Sequence, residues 1–254
     1  MAARTILITG ATGAIGEALA VHYAGEGVRL YLQGRDEKLL EGVAGQCRAR
    51  GAWVNMAVLD LTHRQALEQW CDRVLKSELP DLVFANAGMN IDIGPEQSGE
   101  SWDETERLLE LNIRSSIYLV HRFARKMREQ KRGHLILMSS LAAWFGLPHT
   151  PAYSASKAAL KVYGEAIRGW LAPDNVQVTV VMPGYVSSPM CHAMPGPKPF
   201  LLQPEKAAQY IAKGVYKRKA RVTFPSPLDL GTWILAVVPA SLAHRLVKWF
   251  GYGV

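Results

Sequence analysis

Short apolar runs alternate with longer amphipathic ones along most of this chain. Thr5-Ile6-Leu7-Ile8, Val28 to Gln33, Val54 to Leu59, Leu82 to Ala85, Leu135 to Met138 and Val176 to Val181 are brief and apolar, and each reads as a strand. Val222-Thr223-Phe224 is a last run of this kind. Helical spacing fills the intervals. Ala18, Leu19, Val21, His22 and Tyr23 mark one helix; a second opens at Ser101, with Glu104 three places on, and runs into Leu111-Asn112-Ile113. A third continues through Ile117, Val120, Phe123 and Met127 to a stop at Gly133. A fourth starts near Tyr153, passes through Leu160 and Val162, and ends before Pro173. Strands alternating with helices predict an α/β protein with a parallel sheet wound on both faces.

After the last strand the pattern changes. Residues 225–254 read as a hydrophobic helical extension. Ser226-Pro227-Leu228-Asp229 has the order of a helix start: Ser at the cap, Pro at the first position, an acid at the third. The helix it opens is apolar nearly all round: Leu228, Leu230, Trp233, Ile234, Leu235, Val237 and Val238. Pro239 ends it and opens another. There Leu242, Leu246, Trp249 and Phe250 fall on one side, and His244, Arg245 and Lys248 on the other. No apolar run reaches the ~20 residues a bilayer span requires, so the tail is expected not to cross a membrane. Two placements stay open. It folds over a substrate mouth or a partner subunit, or it lies in a membrane interface with its basic face toward lipid headgroups.

Composition narrows this further. The 254 residues are 49% hydrophobic, enough for one large core, and show no repeat and no clear linker, so 1–254 is expected to be a single domain. Three cysteines, odd in number and widely spaced, suit a reducing compartment. The first residues enter a strand directly and leave no room for a signal peptide; a cytoplasmic protein is expected, with the tail as its one candidate contact with a membrane face. The seven histidines lack metal-ligand spacing, and no metal site is expected. A net charge of +7 fits a solvated basic surface, an anionic cofactor or substrate, or an acidic membrane. No nucleic-acid module is present.

The chemistry-bearing residues stand at the ends of the predicted strands. Thr9-Gly10-Ala11-Thr12-Gly13-Ala14-Ile15-Gly16 lies between the first strand and the first helix. Glycines let backbone approach a diphosphate, and the helix N-terminus offers free N–H groups and a positive dipole. At the tip of the second strand, where an acid would hold a ribose 2′-hydroxyl, Gly34 is followed by Arg35, which suits a 2′-phosphate. Asp36 lies one place on, at the expected start of the next helix. The third strand ends at Asp60-Leu61. Asp60 either hydrogen-bonds an adenine amino group or helps cap the next helix, whose N-cap candidate is Thr62. Asn86-Ala87-Gly88 follows the fourth strand, and Ser139-Ser140 the fifth. Tyr153 and Lys157, four residues apart, project from one helix face. A cation one turn away favours the phenolate and is expected to lower the tyrosine pKa. Y-x-x-x-K also arises by chance; the ordered set gives it weight.

That set resembles the short-chain dehydrogenase/reductase family, in its compact branch, over roughly residues 5–190: the glycine-rich turn, Asp60, Asn86-Ala87-Gly88, Asn112, Ser140, Tyr153-x-x-x-Lys157 and Pro183-Gly184. The resemblance implies a Rossmann-like fold and an NAD(P)-dependent oxidoreductase. It implies that Tyr153 exchanges a proton with the substrate oxygen. Lys157 tunes Tyr153 and binds the nicotinamide ribose. Ser140, whose spacing to the tyrosine is the family's usual one, hydrogen-bonds the substrate, and Asn112 helps hold a relay water. Asn86 and Gly88 would line the cofactor cleft with Gly10, Thr12, Gly13, Ala14, Ile15, Gly16, Leu61, Ala87, Pro183 and Gly184, while Val186 and Ser188 would meet the carboxamide. With Arg35, NADPH is expected over NADH. The turn departs from the compact pattern: Ala14 replaces the middle glycine, and Gly13 supplies one a position earlier, a spacing more typical of the sugar-nucleotide branch. Ser188 stands where threonine is usual. Apolar residues beyond one stripe, including Tyr118, Val162, Tyr163 and Trp170, and the family's helix pairing imply a homodimer or homotetramer.

The expected activity is hydride transfer between NADPH and a ketone or secondary alcohol, apolar or lipid-like, with Cys191 to Phe200 and the tail shaping the pocket. The alternatives are a keto-sugar or polysaccharide precursor, a sugar-nucleotide epimerase or dehydratase, and a non-catalytic dinucleotide-binding protein.

Overall fold

The structure, a computed structural model, describes residues 4–252. In chain order its elements are β1 (Thr5–Ile8), α1 (Ala14–Tyr23), β2 (Arg29–Gly34), α2 (Glu37–Arg48), β3 (Trp53–Val58), α3 (Arg64–Ser77) and β4 (Leu82–Ala85). There follow α4 (Trp102–Leu109), α5 (Ser116–Gln130), β5 (His134–Met138), α6 (Pro151–Leu171), β6 (Gln177–Pro183), α7 (Pro189–Ala193), α8 (Pro204–Tyr216), β7 (Arg221–Phe224), α9 (Leu228–Val237) and α10 (Ala240–Val247). The seven strands form one parallel sheet in the order β3-β2-β1-β4-β5-β6-β7. Strand order reverses between β1 and β4, the point at which such a sheet opens a crevice at its carboxyl edge.

Alternation along the strands divides the core in two. Ile6 and Ile8 point to one face and pack with Leu19, Leu40 and Ile211 from α1, α2 and α8. Leu7 points to the other, against Trp70, Phe123 and Leu160 from α3, α5 and α6. All nine are at most 2% exposed, so each large side chain contributes about 1.5–3 kcal/mol of burial.

Several boundaries differ from the sequence expectation for local reasons. Asp36 caps α2 as expected, accepting the Leu39 N–H at 2.9 Å. At α3 the cap position falls to His63, not Thr62. Asp60 Oδ1 takes the Thr62 N–H (2.9 Å) and hydroxyl (2.8 Å) and closes a turn just before the helix. Ser101 sits at the start of α4, but its hydroxyl makes no capping bond. A π-helical turn, Glu110–Ser115, carries Asn112 between α4 and α5. Pro151 at the first helical position starts α6 two residues before Tyr153. Pro227, not Ser226, occupies the N-cap position of α9.

Candidate active site

The turns after β1, β4, β5 and β6 open into a cleft of about 910 Å³ at the carboxyl edge of the sheet. At its β1 end, Gly10 has φ +63°, and a Cβ on Gly16 would stand 2.1 Å from the Gly10 carbonyl oxygen. The turn therefore packs directly on the first residues of α1. That helix opens at Gly13 without a side-chain cap, and Thr12, Gly13, Ala14 and Ile15 line the cleft beside it. Backbone N–H groups at a helix start, with no side chain in the way, fit the diphosphate of a dinucleotide. Asn86 locks this turn to β4: its Nδ2 donates to the carbonyls of Thr9 (2.8 Å) and Gly10 (3.2 Å), and its N–H donates to Thr9 Oγ1 (2.9 Å).

Gln33 adds a second lock that the sequence reading missed. Its Oε1 accepts the Gly10 N–H at 3.0 Å and its Nε2 donates to the Leu59 carbonyl at 2.7 Å. The signal was there: a buried amide ending an apolar strand needs partners.

At the tip of β2, Arg35 lines the cleft with its side chain more than half exposed, 3.8 Å from Asp60 Oδ2. Arg107 approaches the same oxygen at 3.6 Å. Burial pushes the Asp60 carboxyl up, but the Thr62 hydrogen bonds and the two guanidiniums outweigh it and hold its pKa below the usual range. Asp60 is committed to these partners and borders a separate depression with His63, Trp102 and Arg107. Every other residue expected at the cofactor lines the main cleft: Gly10, Thr12, Gly13, Ala14, Ile15, Gly16, Arg35, Leu61, Asn86, Ala87, Gly88, Pro183, Gly184, Val186 and Ser188. The Ser188 hydroxyl caps α7 through the Cys191 N–H at 3.0 Å, which fixes its direction.

Ser140, Tyr153 and Lys157 meet at the end of β5. Ser140 Oγ accepts the Ala142 N–H at 3.1 Å, lies 3.5 Å from the Pro183 carbonyl oxygen, and stands beside the Tyr153 hydroxyl. The buried Lys157 ammonium lies 5.5 Å from the centre of the Tyr153 ring and donates to the Met138 carbonyl at 3.0 Å. Burial pushes the Lys157 pKa down to about 8. Burial also raises Tyr153 above the ordinary phenol range, against the neighbouring Ser140 hydroxyl and with a smaller push from Cys191. The expected lowering of Tyr153 by Lys157 is thus not realised in this arrangement, in which the ammonium is directed at a backbone oxygen. Asn112 stands behind the wall, fully buried. Its amide is taken up by Met89 (2.8 and 2.9 Å) and Ser156 Oγ (3.0 Å).

The far wall is apolar and comes largely from the tail: Leu228, Ile234 and Leu235 of α9, Leu246 of α10, then Phe250, facing Phe145 and Met190. Tyr252 stacks on Tyr185 (6.4 Å between ring centres, 7° between planes) and donates to the Pro197 carbonyl at 2.7 Å. Tyr185 was also missed, although it stands between two assigned residues, Gly184 and Val186.

A parallel sheet whose switch point can cradle a diphosphate, with Ser140 at the end of β5 beside Tyr153 and Lys157 of α6, is the arrangement of a dinucleotide-dependent oxidoreductase. The short chain dehydrogenase family profile matches residues 4–196. The chain belongs to that family, whose members work between alcohols and carbonyls with NAD(P). An uncharacterized oxidoreductase of Myxococcus xanthus is 34% identical over 244 residues, covering 95% of each chain. A cyclopentanol dehydrogenase of Comamonas is 28% identical over 256 residues, covering 98% of this chain and 96% of its own. Among solved structures, a short-chain dehydrogenase from Sphingobium yanoikuyae in complex with NADPH shares the fold with a TM-score of 0.82 at 22% identity, covering 96% of this chain and 95% of that one.

Proposed function

We propose that this enzyme interconverts an apolar, lipid-like ketone and its secondary alcohol with NADPH. The observation that carries the proposal is that Ser140, Tyr153 and Lys157 line one cleft with an apolar far wall of Leu228, Leu235, Leu246 and Phe250. When bound, the nicotinamide supplies or accepts the hydride. Tyr153 gives its hydroxyl proton to the substrate oxygen in reduction and takes it back in oxidation. Its raised pKa keeps it protonated, and so ready to donate, at neutral pH. Ser140 holds the same oxygen. Lys157, with a pKa pushed down to about 8, exchanges protons near neutrality and can resupply the site.

Arg35 supports NADPH over NADH, because it is the cleft-lining cation at the β2 tip. The apolar wall favours a hydrocarbon-rich substrate over a keto-sugar or sugar nucleotide, whose hydroxyls would lose their hydrogen bonds there. The name of the Comamonas relative, which specifies an apolar cyclic alcohol, is in keeping with this. The complete Ser-Tyr-Lys set argues against a non-catalytic binding role. A cytoplasmic homodimer or homotetramer is part of the same proposal, supported by the exposed Val162 and Trp170 on α6; Tyr118 and Tyr163 are partly packed into the core and contribute less. Light scattering at micromolar concentration tests the assembly, and a monomer mass overturns it.

The deciding experiment follows absorbance of the reduced nicotinamide with apolar ketones, acyl-chain carbonyls and keto-sugars, each with NADPH and NADH. Oxidation of NADPH with the apolar ketones is expected. Turnover confined to keto-sugars would overturn the substrate assignment.

A further inference from the structure

The outward side of α9 carries no polar residue. Leu230, Trp233, Ile234 and Val237 recur at i, i+3, i+4 and i+7, so they form one row along the helix. All four are exposed, Val237 at 61%. The opposite side, through Leu228, Gly231, Thr232 and Leu235, lines the cleft. A helix that merely covered a pocket of a water-exposed protein would turn polar residues outward. The apolar row continues past Pro239. Leu242 on α10 is exposed, and Trp249 and Phe250 follow in the π-helical turn Lys248–Tyr252, Trp249 at 78%. Ile234 and Phe250 belong both to this surface and to the cleft wall, so the patch is continuous with the mouth of the active site. Contiguous exposed apolar surface of this kind marks a docking site.

Charge identifies the occupant. Arg245 and Lys248 are exposed and flank Leu242 and Trp249 along the helix. The one acid among residues 226–252 is Asp229, and both its oxygens are committed, to Thr223 Oγ1 (3.0 Å) and the Leu230 N–H (2.9 Å). A second copy meeting this face about a two-fold axis would oppose Arg245 and Lys248 to their own copies with no free acid between them. Exposed aromatics beside basic residues match the acyl–headgroup boundary of an anionic membrane. No helix among the described residues is long and apolar enough to cross a membrane.

We propose that α9, α10 and the turn after them seat the enzyme on the surface of an anionic phospholipid bilayer, with the cleft mouth facing the acyl chains. An apolar substrate would then pass from bilayer to cleft without crossing water. That purpose rests on the substrate reading above; the docking does not, and it is measured without turnover.

The test is sedimentation of full-length protein with phosphatidylglycerol–phosphatidylcholine vesicles and with phosphatidylcholine vesicles. Wild type should pellet with the anionic vesicles at low salt and be released by high salt. Arg245→Ala with Lys248→Ala should weaken that partition roughly thirtyfold, since each cation near such a surface contributes about fivefold. Leu230→Asp with Val237→Asp should abolish it, while NADPH oxidation with a water-soluble ketone and the melting temperature stay near wild type; neither side chain lines the cleft. Wild-type protein left in the supernatant, or an aspartate pair that pellets like wild type, would overturn the proposal. A mass halved by the aspartate pair, with no vesicle binding by wild type, would assign the patch to a second copy instead.

Discussion

The side-chain amide of Asn112 holds both backbone groups of Met89: Oδ1 accepts the N–H at 2.8 Å and Nδ2 donates to the carbonyl at 2.9 Å. Nδ2 also donates to Ser156 Oγ (3.0 Å), and Ser156 donates to the Tyr153 carbonyl (2.7 Å). The loop after β4, the π-helical turn and the first turn of α6 are thereby tied together just behind Ser140, Tyr153 and Lys157. Asn112→Ala would strand the Met89 N–H and carbonyl, at about 1–3 kcal/mol each. A stability loss of about 2–5 kcal/mol by urea unfolding is expected, with Asn112→Asp losing less because it keeps the acceptor. An unchanged midpoint for the alanine variant would show that the clamp is not structural.

Tyr153→Phe removes the hydroxyl that meets Ser140 and keeps the ring beside Lys157. Turnover should drop about 10²–10⁴-fold, while titration of intrinsic fluorescence shows NADPH still binding. Near-wild-type turnover would withdraw the proton-transfer role.

The two reaction directions should respond differently to pH. In the proposed mechanism reduction uses protonated Tyr153 and oxidation uses its phenolate, and burial raises the tyrosine pKa. Ketone reduction should therefore stay level through neutral pH. Alcohol oxidation should climb steadily above pH 8, in the range where Lys157, at about 8, also loses its proton. Matching profiles of kcat/KM in the two directions would contradict this.

Arg35→Ala takes away the cleft-lining cation at the β2 tip and leaves Asp60 with Arg107 as its cationic neighbour. Hydrogen bonds to charged groups are each worth about 1.5–3 kcal/mol, so NADPH affinity should fall by about ten- to a hundredfold and NADH affinity by little. Calorimetric titration that finds wild type binding NADH more tightly would reverse the assignment.

His134 makes stability itself pH-dependent. It is buried, with Nε2 2.8 Å from Thr179 Oγ1; that hydroxyl donates to the Lys219 carbonyl and so accepts from the ring. Burial, then Arg168 and Arg218, push the His134 pKa from 6.5 to about 4. The folded state therefore binds fewer protons than the unfolded chain between these values. Stability is full above the unfolded pKa and is lost as pH falls toward the folded one. Between pH 7 and pH 5 the loss should be on the order of 2 kcal/mol, and His134→Gln should flatten it. Equal urea midpoints for wild type at the two pH values would disprove this linkage.

The sheet was legible because strands buried on both faces leave short apolar runs; β4 has its predicted limits, and most other strand ends lie within a residue or two. The Ser140, Tyr153 and Lys157 cluster was legible because one helix turn and one strand end impose it. What escaped depends on partners distant in sequence. The turn around Asn112 is π-helical in a stretch whose amide is bound by Met89, 23 residues away. Gln33 bridges Gly10 and Leu59. Tyr185 finds Tyr252 only once the tail has folded back. Asp60, held locally by the Thr62 N–H and hydroxyl, also gains Arg107, a distant residue with no periodicity to mark it.

The far wall of the cleft is built from the end of the chain, and this divides the protein into two inheritable parts. The family profile stops at residue 196, after the glycine-rich turn, the Ser-Tyr-Lys cluster and the loop that follows β6, while Leu228, Leu235, Leu246 and Phe250 all lie beyond it. The two parts touch at Gly184, where a Cβ would stand 2.9 Å from Leu228 Cδ2 and 3.3 Å from Leu141 Cδ1. Substitutions or a recombination event confined to the last thirty or so residues can thus change what the cleft admits without touching Ser140, Tyr153 or Lys157. In such a lineage, diversity of diet would be written in the tail while the reaction stayed the same.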